Sequence, residues 1–154
     1  MRKIIFALVM LFPLSSLLAD SHAVLQDLIK NSKYICHARV LSVKSQRERY
    51  DEKAELVMSR VRLQILENWK GNLESGTEIR SFGGILDGQP YYDLHGQFPH
   101  FQKDEEVILF LNDFNRGIFP VGHSLGKKIV KNKTVQETGQ SLDVFRSEIT
   151  NLLR

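Results

Sequence analysis

The chain has 154 residues, 42% of them hydrophobic, with 21 lysines and arginines, 18 aspartates and glutamates, and one cysteine. This length fits one domain with a sizeable core, and a single cysteine excludes an intramolecular disulfide. Two of the basic residues lie within the first three positions, so the rest of the chain is nearly neutral. Binding that depends on phosphate neutralisation needs a clear basic excess, so we expect no nucleic-acid partner.

The first 19 residues have the pattern of a secretory signal peptide. Two basic residues precede the uncharged apolar run 4–14, which is followed by the small residues Ser15, Ser16 and Ala19. The run is too short for a membrane-spanning helix, which needs about 20 apolar residues, so no stable membrane insertion is expected after cleavage. We predict a periplasmic or secreted protein, cleaved after Ala19 or alternatively after Ala23, with residues 20–154 forming a single domain.

The domain begins with a predicted amphipathic helix. Apolar residues recur at helical spacing within 24–29, and polar residues occupy the other face. If cleavage follows Ala19, Asp20 and Ser21 are free to cap this helix.

Strands follow the helix. β-Branched and aromatic residues predict a first strand at 34–43, and strict alternation predicts a long, half-exposed strand at 57–65. The charged stretch 44–55 between them has no apolar periodicity, which predicts a solvated connection. A turn around Trp-Lys-Gly-Asn then precedes a strand at 77–82, after which the double glycine 83–84 indicates a bulge or bend.

The second half of the chain predicts a hairpin and a buried strand. The Asp-Gly pair 87–88, set between apolar runs, is typical of a tight hairpin turn. The continuous apolar run 107–111 predicts a central, buried strand. The last strands are predicted at 118–121 and 128–131, separated by the glycine-bounded turn 122–126.

A second amphipathic helix closes the chain. Apolar residues within 142–153 share one helical face, and Ser141 is placed to cap its N-terminus. The order of elements predicts a mainly β domain of five or six strands, either a small OB-like barrel or a curved antiparallel sheet, with an N-terminal and a C-terminal helix. Closure into a barrel would remove exposed strand edges.

No residue set in the sequence specifies a reaction, so we predict no catalytic residues. The segment 122–126, GHSLG, matches the G-x-S-x-G elbow of serine hydrolases, with Ser124 as the nucleophile. In that fold the acid and the histidine follow the serine, yet none of the 28 residues after Gly126 is a histidine. A small secreted serine hydrolase using this segment is therefore only the alternative to a binding protein.

The cysteine, aspartate and other histidine side chains do not form a recognisable catalytic or metal site either. Cys36 and His37 are adjacent, but neighbouring strand residues point to opposite faces and cannot form a nucleophile and base pair. Cys36 is therefore predicted to be a buried structural cysteine. Asp93, His95 and His100 carry metal-ligand chemistry, yet their spacing matches no known metal site. We predict neither a metal nor another cofactor.

Aromatic residues crowd the stretch 88–101, where an exposed rim would bind a partner. Loops held by a rigid scaffold commonly carry binding, and the turn 122–126 is a second such loop. We expect a protein partner in the envelope or outside the cell, for example a hydrolase that the protein inhibits, ahead of a small ligand. The candidate binding residues are Tyr91, Tyr92, Phe98 and His123.

Four short motifs follow one another along the chain. They are a lysine-glycine turn, a double glycine, a proline-aromatic pair before an apolar strand, and a late glycine-lysine, at 69–71, 83–84, 99–101 and 126–127. In this order the chain resembles a group of small exported bacterial proteins of uncharacterised function.

The general layout is also similar to the netrin module and the tissue inhibitors of metalloproteinases, and this resemblance implies an OB-type barrel. Those inhibitors bind zinc through an N-terminal cysteine and are braced by several disulfides. This chain has only Cys36. The resemblance therefore implies no metal-chelating inhibition.

Overall fold

The computed structural model of this chain describes residues 15–49, 52, 54–91 and 97–154. Most of the predicted signal peptide, residues 1–14, lies outside these ranges. The same is true of Tyr92, Asp93 and His95, which the sequence singled out.

Antiparallel strands form the body of the domain, with a helix near each end. The elements are α1 (Ser15–Asn31), β1 (Tyr34–Arg49), β2 (Glu55–Lys70), β3 (Glu78–Phe82), β4 (Gly84–Leu86), β5 (Gln89–Tyr91), β6 (Glu106–Phe114), β7 (Gly117–Pro120), a short 3₁₀ helix (His123–Gly126), β8 (Lys127–Lys131), β9 (Thr134–Val135) and α2 (Leu142–Leu152). Seven strands make one sheet in the order β3-β2-β1-β6-β8-β9, with β7 also paired to β6. Strands β4 and β5 form a separate hairpin.

The sheet is antiparallel, as predicted, but it is not closed into a barrel, so the OB-like alternative is wrong. It has seven strands, where five or six were predicted. Strands β3 and β9 are its ends, and no ladder joins them in the part of the chain that the structure describes. β3 instead approaches β7 through side chains, since the ring centroids of Phe82 and Phe119 lie 5.7 Å apart. Just before β7, the Arg116 carbonyl oxygen accepts a hydrogen bond from Arg80 Nη1 at 2.5 Å. β7 offers a poor edge for closure: it has four residues and ends at Pro120, which has no N–H.

The β1–β2 pair is longer than the sequence predicted. The stretch 44–55 was expected to be a solvated connection, but β1 continues to Arg49 and pairs there with Glu55. In this region the sequence has no alternation of apolar residues, and ion pairs join the strands instead. Glu48 accepts a hydrogen bond from Arg60 Nε at 3.1 Å and also binds Arg80 on β3. At its other end β2 runs to Lys70, past the start of the predicted turn.

Both faces of the sheet are buried, which explains the continuous apolar run of β6. One face packs against the helices in a cluster that includes Leu28, Ile35, Ile108, Phe110 and Phe145. The opposite face forms a second cluster that includes Cys36, Val40, Leu63, Ile79 and Leu109. Alternate side chains of β6 enter each cluster, so the prediction of a central, buried strand is confirmed.

The terminal helices agree with the sequence in position and differ in one boundary. In the uncleaved chain α1 begins at Ser15, and the cap at Asp20 and Ser21, which requires cleavage after Ala19, stays a prediction. At α2 the predicted cap is confirmed, because the Ser141 side chain accepts a hydrogen bond from Val144 N at 3.3 Å. Within the described ranges, no helix has both the length and the apolar character needed to span a bilayer.

The predicted hairpin is confirmed in β4 and β5. Its turn residues, Asp87 and Gly88, have φ values of 51° and 75°, which is the positive φ pair of a type I′ turn. The two-residue strand β9 (Thr134–Val135) was not predicted, since two residues are too few to show alternation.

Candidate functional site

A cleft opens where β3 approaches β7. Its volume is about 530 Å³, which lies within the range of ligand-binding clefts. Four phenylalanines supply most of its apolar wall. The lining residues are Ser81, Phe82, Phe98, Pro99, Asp113, Phe114, Asn115, Arg116, Phe119, Pro120 and His123.

Five aromatic rings follow one another along this cleft, and we call them the aromatic row. In spatial order they are Phe114, Phe119, Phe82, Phe98 and His123. The distances between successive ring centroids are 6.0, 5.7, 4.7 and 5.1 Å. All four lie in the range where aromatic pairs attract one another, so the rings support each other in one continuous surface.

The middle of the aromatic row depends on the close approach of β3 and β7. Phe82 is the last residue of β3 and Phe119 lies on β7, so their contact bridges the two strands. Gly117 allows this approach, because a Cβ at that position would lie 2.9 Å from Cδ of Arg80. Its φ of +127° is also a conformation that other residues rarely adopt.

A buried ion pair fixes the loop that carries Phe98. Lys127 Nζ lies 2.6 Å from the Glu105 carboxylate, and the two side chains are only 7% and 14% exposed. The same ammonium donates to the His100 carbonyl oxygen and lies 4.8 Å from the centre of the Phe101 ring. The loop is therefore held to β8 from one side.

Two further hydrogen bonds hold the start of this loop. Ser124 N donates to the Gln97 carbonyl oxygen at 2.6 Å, and Ser81 Oγ donates to the Pro99 carbonyl oxygen at 2.9 Å. Because these bonds flank Phe98, they set its ring between β3 and the 3₁₀ turn.

Asp113 is the carboxylate that lines the cleft, and its charge is compensated within the chain. Lys33 Nζ binds its Oδ2, and the Tyr34 hydroxyl donates to the same oxygen at 3.2 Å. Hydrogen bonding from Lys33 lowers the pKa of Asp113, so this carboxyl stays ionised in mildly acidic solution.

The structure brings two of the predicted binding residues together. Phe98 and His123 are neighbours in the cleft, although 25 positions separate them in the chain. Tyr91 lies on β5 away from the cleft lining, where its hydroxyl accepts a hydrogen bond from Arg47 Nη2 at 3.1 Å. Tyr92 lies outside the described ranges.

Sequence reasoning missed Phe82, Phe114 and Phe119. Phe82 and Phe119 are each the one aromatic residue of a short strand, and Phe114 ends the apolar strand β6, so in sequence all three look like core residues. The double glycine after Phe82 and the Asn-Arg-Gly turn after Phe114 are the available signals, because residues beside turns often lie at the rim of a sheet.

Ser124 lies in a connection between two strands, as the sequence predicted for this glycine-bounded turn. The 3₁₀ helix His123–Gly126 leads directly into β8. A nucleophile elbow instead places its serine between a strand and an α-helix. The segment therefore has the motif without the elbow geometry.

Cys36 is fully buried, which confirms its predicted location, and burial raises the pKa of its thiol to about 12. His37 faces the other side of the sheet, where its Nε2 lies 2.7 Å from Glu106 Oε1. Among the residues with described positions, no group of three histidine, cysteine or acidic side chains is arranged to hold a metal ion. Two of the predicted candidates, Asp93 and His95, lie outside that part of the chain.

The chain matches no protein-family model, no curated protein and no solved structure. The resemblance to small exported bacterial proteins and to the netrin module therefore stays a prediction.

Proposed function

We propose that this protein is an exported binding module whose aromatic row holds an apolar segment of a protein partner. The continuous series of five rings, with centroid spacings from 4.7 to 6.0 Å, carries the proposal. Contiguous apolar surface of this kind on a folded protein marks an interaction site. An envelope or secreted hydrolase is one class of partner, and binding would then inhibit it.

The rings of the aromatic row differ from those of the core in their exposure. Phe110 and Phe145 in the core are 0% and 2% exposed, whereas Phe114 is 54% exposed. Phe82, Phe98 and Phe119 are half-buried. A partner that covered these rings would gain about 25 cal/mol for each Å² of apolar surface removed from water.

A neighbouring cleft favours an extended ligand. It has a volume of about 410 Å³, and Pro99 lines both clefts. Ile85 is 61% exposed and lies in the wall of this second cleft. An extended peptide places alternate side chains on one side about 7 Å apart, which suits two clefts that share a wall residue. A compact small molecule would fill only one of them.

Site-specific photo-crosslinking in the native envelope tests this proposal. Phe98 is replaced by p-benzoylphenylalanine, the cells are irradiated, and crosslinked peptides are mapped by mass spectrometry. We expect one discrete partner, joined through an apolar segment. The matched control carries the same group at Val144, which is 54% exposed on α2, and should give no such product. Identical products from both positions, or none from position 98, would refute the proposal.

A small apolar ligand is the second candidate, because a volume of about 530 Å³ suits one. Native mass spectrometry separates the two possibilities. A small non-covalent adduct that the Phe98→Ala variant lacks would favour the ligand, and a protein adduct would favour the partner.

A further inference from the structure

We infer that the partner segment places a hydroxyl or amide side chain in the second cleft, where Ser45 Oγ accepts a hydrogen bond from it. The inference rests on the proposed function and names the chemistry of the ligand beside its apolar anchor. Its basis is the direction of two hydrogen bonds between side chains of β1 and β2 and the double glycine.

The second cleft combines apolar side chains with a pair of hydroxyl groups. Val43, Ile85 and Phe101 contribute the apolar part of its lining. Ser45 and Ser59 contribute the hydroxyl groups, and their Oγ atoms lie 3.0 Å apart. Ser59 is only 4% exposed and Ser45 is half-buried, so Ser45 is the serine that a ligand would reach.

The hydrogen bonds of the two serines fix the direction of their hydroxyl groups. Ser59 Oγ donates to the Gly83 carbonyl oxygen at 2.7 Å. A hydroxyl has one hydrogen, so in the contact between the two serines Ser45 is the donor and Ser59 is the acceptor. The hydrogen of Ser45 is therefore used, and its oxygen is left to accept from a ligand. Donation to Ser59 also polarises the Ser45 hydroxyl, which strengthens its oxygen as an acceptor.

The double glycine 83–84 holds this arrangement in place. Gly83 N donates to the Val57 carbonyl oxygen at 2.8 Å, so Gly83 is bonded to β2 through both its N–H and its carbonyl group. A Cβ on Gly84 would overlap the hydroxyl oxygens of both serines. Glycine at position 84 therefore leaves the room that the serine pair occupies.

The apolar part of the lining favours a neutral donor over a charged one. An ammonium or guanidinium group beside Val43, Ile85 and Phe101 would lose hydration that one neutral hydroxyl cannot replace. A hydroxyl or amide group loses less hydration, and a hydrogen bond to Ser45 compensates for much of it. The aromatic row would hold the apolar side chain of the ligand while Ser45 binds the nearby hydroxyl or amide.

Selection from a random peptide library tests this inference. A displayed library is selected on the purified protein, with an unrelated protein as the background. We expect the selected peptides to share an apolar or aromatic pair with a serine, threonine, asparagine, glutamine or tyrosine at a fixed spacing from it. One selected peptide is then synthesised with this donor residue and with the apolar residue of closest shape, such as valine for threonine or phenylalanine for tyrosine. The affinity of each form is measured by fluorescence anisotropy.

The donor peptide should bind about fivefold more tightly than its apolar counterpart, which is the factor expected for one neutral hydrogen bond. Ser45→Ala should remove this difference, whereas a cleft that was merely loosened would weaken the binding of both peptides alike. Ser42→Ala is the matched control: Ser42 lies on the same strand, lines neither cleft, and should leave the difference unchanged.

The outcomes separate this inference from the proposed function. Peptides that need Phe98 but show no preference for the donor residue, or whose preference survives Ser45→Ala, would overturn the inference and leave the proposed function standing. A preference that Ser42→Ala abolishes as well would also overturn it. No selection above background, or binding unaffected by Phe98→Ala, would overturn both.

Discussion

Replacing Lys127 by methionine should destabilise the fold and the cleft together. The variant keeps an apolar side chain of similar length and removes only the ammonium. Glu105, whose side chain is 14% exposed, then loses the cation at 2.6 Å, and the His100 carbonyl oxygen loses a donor. Because this ion pair fixes the loop that carries Phe98, ligand binding should weaken as well.

The magnitude follows from the burial of the pair. Removing one partner of a buried ion pair costs about 3–5 kcal/mol. We expect a value near the lower end, about 3 kcal/mol, because Glu105 keeps some exposure and still accepts a hydrogen bond from Gln102 N at 3.3 Å. With a urea m value of about 2 kcal/mol per M, the unfolding midpoint should fall by about 1.5 M.

Urea unfolding followed by the fluorescence of Trp69, the single tryptophan, measures this change. The Glu105→Gln variant and the double variant complete a double-mutant cycle, for which we expect a coupling energy of at least about 1 kcal/mol. A loss below about 0.5 kcal/mol for Lys127→Met, or strictly additive effects in the cycle, would show that the pair does not hold the loop.

Three further predictions concern stability and reactivity. In urea unfolding, Gly126→Ala should cost about 2 kcal/mol, because a Cβ there would overlap a backbone carbonyl. The control Gly88→Ala, with φ +75° but open space around it, should cost about 1 kcal/mol, and equal losses would contradict the packing explanation. Burial raises the pKa of the Cys36 thiol to about 12, so it should resist Ellman's reagent at about pH 8 until urea unfolds the chain; rapid reaction of the folded protein would contradict its burial. Lys33 lowers the pKa of Asp113, so this pair stabilises the fold above the unfolded pKa of about 4, and the stabilisation is lost as pH falls through the lower folded value. Lys33→Gln should reduce the dependence of the urea midpoint on pH in this acid range. An unchanged dependence would contradict the prediction.

The sequence predicted those parts of the fold in which burial controls the pattern. The run 107–111 is apolar at every position because β6 has a cluster on each face. The sequence failed at 44–55 because Glu48 and its arginine partners join strands through ion pairs, which leave no apolar alternation. The sequence could not predict whether the sheet closes into a barrel, because closure depends on hydrogen bonding between edge strands that are far apart in sequence.

The candidate site also contains some residues that the local sequence predicts and others that it does not. Loop composition drew attention to Phe98 and His123, and the structure places their rings 5.1 Å apart. Phe82 and Phe119 could not be predicted, because they meet only after two distant strands are brought together. The aromatic row therefore forms only in the tertiary structure, and no local sequence pattern predicts it.

Native mass spectrometry of the protein, purified gently from its own envelope, tests the binding claim most directly. The wild-type protein is compared with the Phe98→Ala/Phe119→Ala variant, after urea unfolding has shown that both are folded. We predict a reproducible protein adduct on the wild type that the variant lacks. The same adduct on both proteins, or a bare wild-type monomer, would contradict the claim that the aromatic row binds a protein partner.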